Sequence, residues 1–89
     1  MKVTEVKLSL RDHEMVRAYV DIVLDDCFVL RDLRIIHSSR RHLVAMPSRE
    51  RRGGRRVDIA HSVTAEARRM IEEAVWRSTE KLLLRRAPL

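Results

Sequence analysis

The sequence predicts an α+β fold: an antiparallel meander of four to five strands with one C-terminal amphipathic helix packed on it. Two changes of rhythm predict it. Apolar residues alternate with polar ones through much of the first half of the chain, the spacing of half-buried strands; from Thr64 they recur with a period of about 3.6, the spacing of a helix with one apolar face. The third observation is compositional. With 89 residues, 45% hydrophobic but only 3% aromatic, the chain fits one small domain whose core is built from Val, Ile, Leu and Met. A domain this short buries only about 60–65% of its unfolded surface, so a partner subunit would help it.

Each element rests on a local pattern. In the stretch 2–10, Val6, Leu8 and Leu10 alternate with Lys7 and Ser9 to give a first strand. Residues 11–14 form a polar turn, and Val16, Ala18, Val20, Ile22 and Leu24 then alternate with Arg17, Tyr19 and Asp21 as the returning strand of a hairpin. Asp25-Asp26 marks the next turn, and Phe28 to Ile36 has the β-branched and apolar density of a third strand. A polar break at 37–41 precedes a short fourth strand, His42 to Met46, closed by Pro47, which cannot donate to a ladder. Ser48 to Arg56, with Gly53-Gly54 at its centre, reads as an exposed turn or flexible loop, with Val57 to Ala60 a candidate return strand.

Thr64 is placed to cap the helix, with Glu66 in its first turn. Ala67, Met70, Ile71, Ala74, Val75 and Ser78 share one face, opposite Arg68, Arg69, Glu72, Glu73, Arg77 and Glu80. That apolar stripe needs a surface to cover, and the meander is the candidate. Leu82-Leu83-Leu84 could finish the helix against the core or join a subunit interface, and Pro88 ends any helix there. The chain divides into a single domain, 1–84, and a short tail, 85–89, in which the role of Arg85 and Arg86 is open.

Charge narrows the function. Between Arg40 and Arg56 stand seven arginines against the single acid Glu50, which accounts for the whole net charge of +6. Guanidinium groups concentrated in this way displace condensed counterions from phosphates, so the segment points to a polyanion. No apolar run approaches the roughly 20 residues of a membrane span, and the N-terminal stretch lacks the pattern of a secretory signal, so the cytoplasm is expected. Cys27 is the only cysteine, which excludes an internal disulfide or a thiolate zinc cluster and makes it a small buried hydrophobe.

Catalysis is not expected. His37, His42 and His61 with Asp58 and Ser62 include no serine on a Gly-flanked nucleophile elbow, and no Gly-rich phosphate cradle precedes a helix. Four scattered histidines supply no metal-ligand spacing, and neither a metal nor any other cofactor is expected. Asp58 and His61 suit backbone capping or a structural hydrogen bond, and Asp25 and Asp26 read as turn formers. Met46 reads as a core plug and Pro47 as a rigid strand exit, while Ser48 could reach phosphate.

Met1-Lys2-Val3-Thr4-Glu5-Val6, Leu24-Asp25-Asp26, Phe28-Val29 with Asp32, Arg34-Ile35-Ile36, and above all Val44-Ala45-Met46-Pro47-Ser48-Arg49 followed by Asp58-Ile59-Ala60-His61 resemble the SpoVG family, from residue 1 to about 76. The resemblance implies a sheet packed by a C-terminal helix, a homodimer built through sheet edges, and binding of DNA and RNA in gene regulation linked to septation and sporulation. The chain departs from the family pattern at Gly53-Gly54, flanked here by arginines, and at His61-Ser62; after Trp76 no family pattern is evident.

The expected phosphate contacts are Arg49, Arg51, Arg52, Arg55 and Arg56 in the basic segment. The resemblance adds Arg68 and Arg69 at the start of the helix, whose N-terminus itself favours phosphate. With few Asn or Gln and almost no exposed aromatic residues expected, affinity should come mainly from phosphate. The expected partners are DNA, RNA as a further ligand, and a second copy of the chain, with no small-molecule substrate and no membrane. The competing reading is a protein-interaction adaptor whose basic hairpin docks an acidic partner.

Overall fold

The computed structural model describes residues 1–11, 15–38 and 41–86, with side chains described for all of these except 37, 38, 41 and 82–86. Parts of the predicted turn at 11–14 and break at 37–41, the Leu82-Leu83-Leu84 side chains, and the tail from 87 lie outside that set. The elements run β1 (Val3–Leu10), β2 (Val16–Leu24), β3 (Phe28–Ser38), β4 (Arg41–Ala45), β5 (Ser48–Glu50), β6 (Arg56–Asp58) and α1 (Ala65–Arg86). The first four form one antiparallel sheet in the order β1-β2-β3-β4, and β5-β6 form a separate two-stranded sheet. The α+β meander with one C-terminal helix is therefore observed, and the arginine segment is the tip of a hairpin, as expected, with strands of three residues each and the return strand at Arg56–Asp58 where 57–60 was expected.

Alternation sorts the large sheet into two faces. Ala18, Val20 and Ile22 from β2 join Leu33 and Ile35 from β3, Val44 from β4 and Met46 just beyond it. Ile71 and Val75 of α1 close this cluster from above, with Val6, Leu8, Met70 and Trp76 packed at its margin. The expected stripe is the buried face of the helix. Burying one such aliphatic side chain is worth roughly 1.5–3 kcal/mol, so this face, and not helix propensity, holds α1 in place.

The ends of elements are made by the residues the pattern singles out. Thr64 Oγ1 accepts the amide of Ala67 at 3.1 Å, and the Arg68 amide bonds the Thr64 carbonyl at 3.1 Å, so Thr64 caps α1. Asp25 and Asp26 both have positive φ, 50° and 55°, and the Cys27 amide donates to the Leu24 carbonyl at 3.0 Å. Two central residues with positive φ match the right-handed twist of the strands they join. Asp25 also takes the Lys2 amide on Oδ1 at 2.8 Å, fastening β1 to the turn. Cys27 corrects an expectation: it is exposed, because it sits on the sheet-end turn, away from the core under α1.

One irregularity has no marker in the sequence pattern. In the β2-β3 ladder Ile22 faces Leu30 and Val20 faces Leu33, so Arg31 and Asp32 together oppose Asp21. Asp32 adopts φ 64°, and the Asp21 carboxylate holds the bulge by accepting the Asp32 amide and the Arg31 guanidinium, each at 3.1 Å. Such a bulge bends the strand and re-aims the side chains beyond it.

Candidate nucleic-acid interface

Pro47 is buried and sets the exit from β4, and the Ile59 amide donates to its carbonyl at 2.8 Å, so the β5-β6 hairpin leaves and returns at one point. Its ladder pairs Ser48 with Asp58, Arg49 with Val57 and Glu50 with Arg56. The Arg51 amide donates to the Arg55 carbonyl at 2.7 Å and the Gly54 amide to the Arg51 carbonyl at 3.2 Å. Gly53 and Gly54 have φ of 86° and 74°; a Cβ would meet nothing at Gly53 and only a 3.8 Å contact at Gly54. Backbone conformation, not crowding, asks for glycine here.

This tip carries Arg49, Arg51, Arg52 and Arg55, all exposed and lining one shallow depression with Glu50. The structure thus brings four of the seven expected residues together. Arg56 is exposed but turned to the hairpin base, where its Nε donates to Ser48 Oγ at 3.1 Å and its Nη2 to the Ser48 carbonyl at 3.3 Å.

Arg68 and Arg69 line a different depression at the start of α1, with Val63 and Thr64. Of the two, Arg69 is exposed and Arg68 half-buried. Arg68 Nη2 donates to the Val44 carbonyl at 2.9 Å and its Nε lies 3.8 Å from Glu72 Oε1, so the side chain buckles the helix start to edge strand β4. His61 Nδ1 lies 3.2 Å from the Ser62 carbonyl, a local structural contact.

The uncovered face of the sheet carries charged residues that the pattern reading missed. Arg11, Tyr19, Arg34, Ser48 and Arg56 surround a depression with Asp32 on its rim. Tyr19 lies directly across from Arg34 in the β2-β3 ladder, and the Arg11 guanidinium sits over the Tyr19 ring, 5.4 Å from its centroid. Arg34 Nη2 donates to Ser48 Oγ at 3.0 Å and to the Met46 carbonyl at 3.3 Å. Period-two alternation does put Tyr19 outward. The shifts between Val16 and Ala18 and between Val20 and Ile22 hid which β3 residue stands beside it.

A more apolar groove between α1 and the sheet is lined by Leu8, Leu10, Ile35, His42 and Trp76, with the His42 and Trp76 rings edge-on at 6.1 Å. Leu8 and Trp76 already pack against the buried cluster, so the groove is a margin of the core. Among the described residues no helix is long and apolar enough to cross a membrane.

The SpoVG family matches residues 1–81. A Bdellovibrio bacteriovorus protein named "Putative septation protein SpoVG" is 47% identical over 83 residues, covering 93% of this chain and 77% of that protein. Relatives of the same name from Anaeromyxobacter sp. strain Fw109-5 and Myxococcus xanthus are 43% and 39% identical, covering 84% and 93% of this chain and 77% and 84% of their own lengths.

Proposed function

The chain belongs to the SpoVG family, and from that membership and its basic hairpin we propose that it is a non-catalytic, nucleic-acid-binding regulator that acts in the cytoplasm on genes of septation and sporulation. The observation that carries this reading is the tip itself. Four exposed arginines stand on a turn already closed by backbone hydrogen bonds, in the segment that holds all of the net charge. A closed turn saves the cost of ordering the backbone that carries the guanidinium groups, and their approach to phosphates gains from counterion release. The relatives' name supplies the link to septation. Titrating the protein into a fluorescent short duplex at low salt should give saturable binding that weakens steeply as salt rises. Absence of binding at low salt would overturn the reading, and an acidic protein surface would become the partner of the hairpin.

We propose further that the chain works as a homodimer joined through a sheet edge. The two edges of the large sheet are β1 and β4. Arg68 already occupies the Val44 carbonyl of β4, whereas β1 presents eight residues along its edge, so pairing there asks for less rearrangement. Sedimentation at micromolar protein should return twice the chain mass; a monomer mass that does not change with concentration would refute it.

A further inference from the structure

We infer that the depression on the uncovered face of the sheet binds one nucleotide unit of single-stranded nucleic acid, its phosphate on Arg34, Arg56 and Ser48 and its base against Tyr19 and Arg11. The inference rests on the nucleic-acid reading above and deepens it: the arginine tip attracts any polyanion, while this site takes a base that is not stacked in a duplex.

The argument begins with charge. Arg34 is half-buried, yet among the described residues neither it, Arg11 nor Arg56 has a carboxylate within ion-pair distance; the ion pairs among those residues are Arg31 with Asp21 and Arg68 with Glu72, outside the depression. A partly desolvated guanidinium without a counterion, held in place by neutral acceptors, is a site prepared for an anion. Ser48 sharpens this. A hydroxyl has two lone pairs and one proton, and both lone pairs are engaged, by Arg34 Nη2 at 3.0 Å and Arg56 Nε at 3.1 Å. Its proton is left to donate, so three converging groups present only donors.

The second part is the aromatic ring. The chain has three aromatic residues, Tyr19, Phe28 and Trp76. Trp76 packs at the core margin; Phe28 is exposed but stands at the Cys27 turn, outside the depression, whereas Tyr19, also exposed, lies beside the guanidinium groups. With the Arg11 guanidinium 5.4 Å from its centroid, held by bonds to Ser9 Oγ and the Leu10 carbonyl, the ring and the cation together offer a surface against which a base can lie. Asp32, two residues before Arg34 on β3, repels phosphate from its end of the depression and can accept hydrogen bonds from a base edge. The two ends therefore differ in what they accept, which orients the nucleotide. A duplex can offer this site only a phosphate, because its bases are stacked inside.

The test compares a fluorescent short oligothymidylate with its duplex on oligoadenylate, using the full chain. Tyr19→Ala should weaken the single strand about tenfold and leave the duplex within about twofold, as stacking loss predicts, and Tyr19→Phe should bind as the parent does. Tyr19→Leu, which keeps an apolar side chain on the exposed face, should behave like Tyr19→Ala and serves if the alanine variant does not fold. Arg34→Met should also weaken the single strand more than the duplex. Unchanged single-strand affinity in a folded Tyr19→Leu or Tyr19→Ala protein overturns the inference, as does an equal loss for both probes. A parent protein that binds neither probe overturns it together with the proposed function; a parent that binds both, with Tyr19 variants that do the same, overturns the sheet-face site alone.

Discussion

Ile71→Ala should destabilise the protein by about 2–4 kcal/mol, the usual cost of removing a buried branched side chain and leaving a cavity. Ile71 is 4% exposed and lies one turn from Val75, which is fully buried; together they close the cluster formed by β2, β3 and β4. A domain of this size has only about 5–15 kcal/mol in all, so the thermal midpoint should fall by roughly 10–30 °C. Glu73→Ala is the control from the solvent side of the same helix and should stay within about 0.5 kcal/mol of the parent. Glu72 is a poorer control than its place in the pattern suggests: it is half-buried and faces Arg68 at 3.8 Å, a pair worth about 0.3–0.5 kcal/mol. Equal small effects at Ile71 and Glu73 in thermal or urea unfolding would mean that α1 does not depend on this packing.

Changing Arg51 and Arg52 together to Ala should weaken DNA binding on the order of a hundredfold at low salt, nearly uniformly across sequences, because phosphate contacts position a protein without reading bases. The logarithm of the association constant falls with the logarithm of salt by about 0.9 per phosphate contact. Losing two contacts per subunit should make that slope shallower by about 3–4 units in a dimer and by half as much in a monomer. Both side chains are exposed on the hairpin tip, and the turn beneath them is closed by backbone groups, so stability should change by less than about 0.5 kcal/mol. Substitutions of Arg68 and Arg69 should alter selectivity among sites if the helix start reaches base edges. Arg68 must be read with its bond to Val44 in mind, since its loss also loosens helix from sheet. A folded Arg51/Arg52 double variant with unchanged affinity and salt slope would remove the hairpin from the interface.

Legibility tracks the range of the interactions. Alternation in β2 and the 3.6-residue stripe in α1 are local, and they lead directly to the buried faces, as the Asp25-Asp26 pair and Thr64 lead to a turn and a cap. The arginine tip is legible as composition around Gly53-Gly54. Cys27 misleads because residue type says nothing about lying on a turn at the sheet end. The sheet-face cluster is hidden for a different reason: bringing Tyr19 beside Arg34 depends on pairing register, and two irregularities in one ladder shift that register where the sequence offers no marker. Arg68 looks free because its partner is a backbone carbonyl on β4, which carries no signature in the sequence.

The shared point of departure and return at Pro47 has a consequence for how such a protein diversifies. The Pro47 carbonyl and the Ile59 amide seal the hairpin at its root, and among the described residues no ladder joins its strands to the larger sheet. Lengthening the tip therefore adds only loop-closure entropy, about 0.6 kcal/mol for each doubling of loop length, while the core keeps every contact. Residues of the tip beyond Ser48 and Arg56 can therefore change in number and charge under selection for new targets, and the scaffold that carries them need not be reinvented.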